Sequence, residues 1–540
     1  MENETRTFND PVSDLANSLT GLLSLIPGRD IVMRYIASSY QNDPVRSLLE
    51  LILLIFAVRT ILQNRTRSNQ SRSNFVQLDD KEIDYLVKEF HPEPLCKPLN
   101  AEEHKDLDEI PLIVGHTGPR VKVQSPVLSG TQPREVLNLA SYNFTGMADA
   151  PEMTAQAQSV LREYGVGSCS PPGFYGTSDM HIKLENTVAE FLKKESSIVY
   201  SQGFSTATGV IPAFCKRGDI IVADSGVNFA IQGALQLSRS TIYWYDHNSL
   251  DSLEAVLQRI STQTKGRNEP LRRRFIVTEG LFEDDGAIPY LPKVVELAKR
   301  FKFRIFLDES FSIGSLGRTG RGLTEHFNVS ADDIDFIIGN MAIAFGAGGG
   351  FCASTAFAVR HQRINGLSFI FSAAMPVMIA NGATTAMHLL STQPHRLTSL
   401  QKNVRAIRAV LDRIDSVMIP SAPESAMIHV EIRSKYAPNN SRALNLPGTD
   451  MAIATAEHDL TTEQQERLLQ DIVTRALNQG VFVCRSRRLQ SIKPVTALSA
   501  PIDLPSLRVI VTSEMSEGEV AQAADILRAS IVSVLGDRRT

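Results

Sequence analysis

Residues 274–322 read RFIVTEGLFEDDGAIPYLPKVVELAKRFKFRIFLDESFSIGSLGRTGRG, and this stretch decides the fold. Two short runs rich in β-branched and aromatic residues, Arg274–Glu279 and Arg304–Asp308, enclose a helical pattern over Leu291–Phe301. Strands that alternate with helices predict a mostly parallel sheet with helices on both faces. We therefore expect an α/β domain around this stretch.

The same alternation extends in both directions along the chain. Further strands are predicted at Ser197–Tyr200, Asp219–Ala223, Thr241–Tyr245, Ile334–Gly339 and Gly350–Ala353. A long helical span follows over residues 373–414, and then a mixed tail of strands and helices. The predicted organisation is a membrane-associated region (1–90), a lead-in (91–135), a large α/β domain (136–385) and a small α+β domain (386–540).

Composition limits the classes of function. A chain of 540 residues needs at least two packing units. Lys and Arg number 55 against 59 Asp and Glu, so the net charge is −4 and gives no support to nucleic-acid binding. The 5 cysteines are scattered without a C-x-x-C pair, which disfavours both a disulfide scaffold and a metal site.

The segment Val45–Leu62 reads VRSLLELILLIFAVRTIL and is a candidate transmembrane anchor. Two arginines near its ends can reach the interface, whereas Glu50 needs a partner or a headgroup position. The arginines that follow place the later chain in the cytosol, by the positive-inside rule: Arg65, Arg67 and Arg72. A soluble core helix is the alternative, and composition does not decide between a span and an interfacial helix.

Three clusters could carry chemistry. The loop Tyr164–Thr177 (YGVGSCSPPGFYGT) is either a tight structural loop or a surface that approaches a ligand. Asp308 closes a strand, where ligands meet an open α/β sheet, although it could also cap a helix. The third cluster is Asn340–Ala353 (NMAIAFGAGGGFCA). A nicotinamide site is disfavoured there, because no acidic residue occurs between Asp335 and Asp412.

In this order the clusters resemble the α-oxoamine synthase family of fold-type-I pyridoxal-phosphate enzymes. The resemblance covers residues 137–535. It rests on these clusters and on three further strings: LASYNFTGM (Leu139–Met147), YSQGFSTATGV (Tyr200–Val210) and FSAAMPV (Phe371–Val377). It implies a fold-type-I transferase architecture and pyridoxal 5'-phosphate as the cofactor of the complex.

The family needs a lysine that binds the cofactor covalently, a histidine that stacks on its ring and an aspartate at the ring nitrogen. Asp308 matches the aspartate. Ile343 stands at the lysine position, and no lysine occurs between Lys302 and Lys402. Phe229 stands at the stacking histidine, and Phe311 replaces the histidine of the Asp-Glu-Ala-His string. The resemblance therefore implies a chain with no catalytic residues of its own.

One subfamily lacks these catalytic residues in the same way, namely the non-catalytic first long-chain-base subunits of serine palmitoyltransferase. The overall amino-acid sequence is similar to that of fungal members. The implied partners are a catalytic second subunit that holds the cofactor through its lysine, a small activating subunit, Orm-family regulators and membrane lipids. The implied location is the endoplasmic reticulum membrane, with the body facing the cytosol.

In that heterodimer, several residues are expected to form the interface or the wall of the partner's site: Tyr142, Asn143, Cys169, Phe174, Tyr175 and Ser372. Ser372 matches a position that touches the cofactor phosphate across the interface, although Ala373 departs from the usual hydroxyl. Arg508 matches the substrate-carboxylate arginine and is equally well a structural relic.

Two alternatives stay open. The chain could be a self-sufficient homodimeric synthase that uses an unrecognised lysine. It could also be a regulatory membrane scaffold that reuses the fold. Bound pyridoxal phosphate on the isolated chain would favour the first alternative, and recovered activity with a lysine-bearing homologue would exclude the second.

Overall fold

The computed structural model describes residues 30, 31, 34, 35, 38, 41, 43–73, 78–128, 132–264, 272–433, 460–486 and 505–536, and for residues 63–73 and Glu102 it describes the backbone alone. The chain forms two compact units, residues 1–100 and residues 101–540. The first 29 residues of the predicted membrane-associated region lie outside the described residues.

From residue 43 onward, the described part of the first unit contains two helices, α1 (Pro44–Ser73) and α2 (Asp80–Glu89). Helix α1 includes the predicted anchor Val45–Leu62, whose large apolar side chains are exposed. Among the described residues, no helix combines the length and the apolar content that crossing a bilayer requires. The helix prediction is therefore confirmed, but its membrane-spanning character is not.

The second unit contains fifteen described strands and fifteen described α-helices. The strands are β1 (Leu112–Val114), β2 (Arg120–Gln124), β3 (Arg134–Asn138), β4 (Ser196–Tyr200), β5 (Ile220–Asp224), β6 (Thr241–Tyr245), β7 (Arg274–Glu279), β8 (Arg304–Asp308), β9 (Phe336–Asn340), β10 (Gly350–Ser354), β11 (Val417–Met418), β12 (Met427–Ile432), β13 (Val481–Phe482), β14 (Cys484–Ser486) and β15 (Ser506–Ile510). The helices are α3 (Ala101–Asp108), α4 (Pro151–Tyr164), α5 (Asp179–Leu192), α6 (Phe204–Phe214), α7 (Phe229–Ser238), α8 (Leu250–Thr264), α9 (Leu291–Phe301), α10 (Leu323–His326), α11 (Met341–Phe345), α12 (Ala356–Asn365), α13 (Leu367–Ile370), α14 (Val377–Thr392), α15 (His395–Leu411), α16 (Thr462–Asn478) and α17 (Glu517–Leu535).

A seven-stranded sheet forms the centre of this unit, in the order β4-β10-β9-β8-β7-β5-β6. The pairs from β9 to β6 are parallel, whereas β10 runs antiparallel to both of its neighbours. The predicted mostly parallel sheet is thus confirmed, with one reversed strand that makes it a mixed sheet. Because five parallel strands end at one edge, their last residues meet there.

Apolar side chains fill both faces of the central sheet, as expected for parallel strands covered by helices on both sides. On one face, the aromatic side chains of Phe275, Phe306 and Phe336 pack together, with the rings of Phe306 and Phe336 stacked at 4.5 Å. On the other face, α9 buries the stripe Leu291, Val294, Val295, Leu297 and Ala298. This packing fixes the strand ends that carry the candidate site.

Two smaller sheets accompany the central one. The sheet β11-β12-β15-β14 belongs to the C-terminal part of the chain. The sheet β1-β2-β3-β13 joins the segment before the large domain to residues far along the chain, since β13 pairs with β3 in parallel. Residues from 112 onward therefore form part of a sheet and are more than a connection.

The stacked ring of Phe306 gives a stability prediction. Phe306→Ala removes a buried ring and leaves a cavity, so we expect the free energy of unfolding to fall by about 3–5 kcal/mol. Denaturant titration followed by circular dichroism measures the change. Phe357→Ala, which truncates a 79% exposed ring, is the matched control and should change stability by about 0.5 kcal/mol or less. Equal losses for the two variants would contradict this packing.

Candidate functional site

Two carboxylates meet at the carboxyl edge of the central sheet. Glu279 ends β7 and Asp308 ends β8, and the two residues are paired in register. The backbone N–H of Ser310 donates to Asp308 Oδ1 at 2.8 Å, and the side chain of Asn228 also bonds to this carboxylate. Burial raises the pKa of Asp308, although these hydrogen bonds oppose the rise. Asp308 thus lies where the sequence placed it, held by its own chain.

Glu279 makes this edge more acidic. Its carboxylate accepts a hydrogen bond from the backbone N–H of Asn228, the residue that caps α7. Burial raises the pKa of Glu279 well above its usual value, and the neighbouring charge of Asp308 adds to the rise. A buried pair of acids is stable only when one of them keeps its proton or a cation approaches.

The position of the missing lysine is filled by hydrocarbon. Ile343 lies in α11 and is 6% exposed. Its side chain belongs to an apolar cluster that includes Phe144, Leu281 and Phe311, together with residues of the C-terminal part. An isoleucine has no nitrogen to react with an aldehyde, and its burial in this cluster is ordinary core packing.

Phenylalanines stand at both histidine positions that the resemblance implies. Phe229 begins α7 and is half-buried, with its ring centre 6.3 Å from that of the exposed Phe204. Phe311 is buried against Tyr142, with ring centres 5.4 Å apart. Neither ring can exchange a proton. The residues at this edge therefore do not fit covalently bound pyridoxal phosphate, although Asp308 is retained.

Arg508 is engaged with its own chain. Its guanidinium lies over the ring of Tyr142 at 5.1 Å and is 3.9 Å from Glu283 Oε1, and Nη2 approaches Cys484 Sγ at 3.8 Å. Tyr142 donates its hydroxyl hydrogen to Glu283 Oε1 at 3.5 Å. Burial raises the pKa of Tyr142 and that of Glu283. Among the described residues, Arg508 Nε is buried without a hydrogen-bond partner, and the choice between a substrate-carboxylate arginine and a structural relic stays a prediction.

The loop Tyr164–Thr177 and the segment around Ser372 form one continuous surface. The N–H of Ala374 donates to Ser170 O at 2.9 Å, and the hydroxyls of Ser372 and Ser201 lie 2.9 Å apart. Cys169 is exposed and adopts a left-handed φ of 51°, a conformation that non-glycine residues seldom take. Four of the predicted interface residues therefore come together here: Cys169, Phe174, Tyr175 and Ser372.

Helices α6 and α13 adjoin this surface, since Ser368 Oγ donates to Ser205 O at 2.9 Å. Across these segments, six large apolar side chains are between 57% and 88% exposed: Val166, Phe174, Tyr175, Phe204, Leu367 and Phe371. We call these six residues the aromatic surface. Contiguous exposed apolar side chains on a folded domain are typical of an interaction site.

The other two predicted interface residues do not lie on the aromatic surface. Tyr142 is in the interior cluster with Arg508 and Glu283. Asn143 is buried, and its Oδ1 accepts a hydrogen bond from the N–H of Ala148 at 3.2 Å, which shapes the turn before α4. Their contribution to a partner's site stays a prediction.

A charged network beside the acid pair was missed by the sequence analysis. His247 Nδ1 lies 2.7 Å from Asp224 Oδ1, and Nε2 lies 3.0 Å from Asp285 Oδ2. Burial opposes the charge on His247, but the two carboxylates outweigh it and raise its pKa well above the usual value. Burial likewise opposes ionisation of Asp285, yet His247 lowers the pKa of this acid to about 2. Asp224 and His247 each follow a parallel strand, and this spacing was the available signal.

Comparison with known proteins shows the family to which the chain belongs. The family model for aminotransferase class I and II matches residues 134–527. Serine palmitoyltransferase 1 of Saccharomyces cerevisiae is 34% identical over 532 residues, covering 95% of this chain and 93% of the relative. The chain belongs to the serine palmitoyltransferase 1 branch of the aminotransferase class I and II family. Serine palmitoyltransferase 1 of Dictyostelium discoideum is also 34% identical, over 85% of this chain and 88% of the relative.

A plant relative and a solved structure are also similar to this chain. Long chain base biosynthesis protein 1 of Arabidopsis thaliana is 39% identical over 66% of this chain and 71% of its own length. A high-resolution structure of SPT with PLP internal aldimine has a TM-score of 0.66 at 22% identity, covering 81% of this chain and 97% of that one. This likeness confirms the fold. The fungal origin stays a prediction.

The network of His247 predicts a dependence of stability on pH. Because the folded-state pKa is raised, the ion pairs contribute fully below the unfolded pKa and are lost as pH rises through the folded pKa. The stability advantage of the wild type over His247→Gln should therefore be larger at about pH 6 than at about pH 9, since the unperturbed histidine pKa is about 6.5. Denaturation midpoints measure it. An advantage that does not change with pH would contradict a charged His247.

Proposed function

We propose that this chain is the non-catalytic subunit of serine palmitoyltransferase, which works beside a lysine-bearing relative. The enzyme condenses L-serine with palmitoyl-CoA to 3-oxosphinganine, coenzyme A and carbon dioxide, the first step of sphingolipid synthesis. The observation that carries the proposal is Ile343, buried in hydrocarbon where the family has its reactive amine. Phe229 and Phe311 support it, because both family histidines are replaced by residues without a titratable group.

Pyridoxal phosphate would belong to the partner, held through the partner's lysine, and would supply the electron sink for the reaction. The task of this chain is then to bind the partner and to complete its site. Hydrogen bonds of the acid pair and of His247 tie the carboxyl edge of the central sheet to its own chain. The chain's own edge thus acts as a scaffold.

The aromatic surface supports a heterodimer. Its six side chains are exposed, and the bonds between Ser170 and Ala374 and between Ser201 and Ser372 order the backbone of two of its segments within the single chain. A preformed apolar surface favours association, because little conformational entropy is lost on binding. We assign this surface to the catalytic subunit, and with it the predicted roles of Cys169, Phe174, Tyr175 and Ser372.

We further infer that α1 anchors the subunit to the endoplasmic reticulum membrane, with the body in the cytosol. The difficult residue, Glu50, is supported by an intrahelical partner, because Arg46 Nε donates to Glu50 Oε1 at 3.1 Å. Pairing of the two charges within one helix reduces the cost of placing a carboxylate near the headgroups. The arginines after the anchor favour this orientation. A small activating subunit and Orm-family regulators complete the proposed assembly.

The proposal is tested by enzyme assays with labelled serine and palmitoyl-CoA. We expect no 3-oxosphinganine from this chain alone and full activity when it is purified together with its lysine-bearing homologue. Product from the isolated chain would contradict the proposal in favour of a homodimeric synthase. A homologue that is equally active without this chain would favour a scaffold instead.

Charge introduced into the aromatic surface should separate the subunits. Phe371→Asp and Tyr175→Asp place a carboxylate in an apolar interface, so affinity for the catalytic subunit should fall about tenfold or more. Co-purification at limiting concentration and the activity of the mixture measure the effect. Leu237→Asp is the matched control, because Leu237 is a 60% exposed apolar residue on α7 outside the aromatic surface. Equal losses for the control would contradict the assignment of this surface.

A further inference from the structure

Helix α2 is stabilised by interactions at its N-terminus. Asp79 caps it, since its carboxylate accepts from the N–H groups of Lys81 and Glu82, while Glu82 accepts in return from the N–H of Asp79 at 2.9 Å. Leu78 and Ile83 occupy the positions of a hydrophobic staple across this cap. A ten-residue helix is nevertheless marginal in water unless its apolar face is covered.

That apolar face is open. Five apolar side chains form it, and together with Glu89 at its edge they line one shallow concave surface: Leu78, Ile83, Leu86, Val87 and Phe90. They are between 41% and 71% exposed, and no residue of the helix is buried. The opposite face carries Tyr85 and the charged residues, because three to four residues separate neighbours on one helical face. The helix is therefore amphipathic with an uncovered apolar side.

Its place in the chain indicates what covers it. Helix α1 exposes large apolar side chains on every side from Leu48 to Leu62, a pattern that requires a lipid environment or a complete protein jacket. Helix α1 ends at Ser73, and five chain steps of at most about 3.5 Å each lead from there to Leu78. A segment tethered so closely to an anchored helix meets the bilayer surface at an effective concentration of about millimolar.

The charges of α2 decide which lipid surface suits it. From Asp79 to Glu89 there are five carboxylates and two lysines, a net charge of −3. Interfacial helices that bind anionic lipids carry the opposite sign. The same like charge disfavours pairing of α2 with a second copy of itself. A zwitterionic surface imposes neither penalty.

We propose that α2 lies in the headgroup region of a zwitterionic phospholipid bilayer, with the face of Leu78, Ile83, Leu86, Val87 and Phe90 turned toward the acyl chains. This inference rests on the proposed membrane anchoring by α1 and is independent of the subunit's role in catalysis. The helix would hold the segment between the anchor and the body flat on the membrane. Its function is that of a second, weaker membrane contact.

Tryptophan fluorescence of the full chain tests the proposal. Trp244 is the only tryptophan, so a Trp244→Phe background is dark. In the Trp244→Phe background, Phe90→Trp reports on the apolar face of α2. Tyr85→Trp, on the opposite face, is the matched control. In phosphatidylcholine vesicles, emission of Phe90→Trp should shift to the blue and lose most of its intensity when the lipid is brominated, whereas Tyr85→Trp should change little. Adding Val87→Asp should abolish the quenching of Phe90→Trp.

Each result of these experiments either supports or contradicts the membrane contact of α2. Quenching that weakens when phosphatidylserine replaces part of the phosphatidylcholine, and that recovers at high salt, supports the acidic-face argument. A blue shift without quenching by brominated lipid would mean that a protein groove covers α2 and would overturn the proposal, as would equal quenching of the two probes. Alkaline carbonate extraction after flotation distinguishes the membrane contact of α2 from the membrane anchoring by α1. If Phe90→Trp is quenched but carbonate releases the chain from the vesicles, the contact of α2 is supported and the anchoring by α1 is contradicted. If Phe90→Trp is not quenched and the chain resists carbonate, the anchoring is supported and the contact of α2 is contradicted.

Discussion

The structure of this chain depends on one packing constraint, the burial of Ile343 among apolar side chains where the family keeps a reactive amine. A lysine there must be reached by solvent and cofactor, whereas an isoleucine is stabilised by exclusion of both. The aromatic residues Phe229 and Phe311 follow the same logic, because each replaces an imidazole with hydrocarbon. Ile343 and Phe311 belong to one apolar cluster with residues of the C-terminal part.

The acidic groups at that edge are paired within the chain. Asp308 is bonded to Ser310, and Glu279 to Asn228, while His247 balances Asp224 and Asp285. The network continues into the C-terminal part, since Ser421 donates to the carbonyl of Asp285 at 2.7 Å and accepts from the N–H of His429 at 2.8 Å. These hydrogen bonds tie the carboxyl edge of the central sheet to the C-terminal part.

Much of the fold was accessible from sequence, because the strands of the central sheet are short apolar runs bounded by clear helical patterns. Their boundaries were predicted within two residues. The reversed direction of β10 was not, since an apolar run carries no information about strand direction. The pairing of β3 with β13 was missed because more than 300 residues separate two short strands.

In the candidate site, Ile343 and Phe229 were found because each interrupts a recognisable string. The partners of His247 are 23 and 38 residues away, beyond any local pattern, and the burial of Tyr142 and Asn143 is a tertiary effect.

The most direct test of the central claim is to locate the cofactor in the working complex. The active enzyme, purified with its lysine-bearing partner, is reduced with borohydride, digested and mapped by mass spectrometry for pyridoxyl-lysine. We predict the modified lysine on the partner alone and none on this chain. A pyridoxyl group on any lysine of this chain would contradict the account, because the buried Ile343 would then not have removed the catalytic chemistry from it.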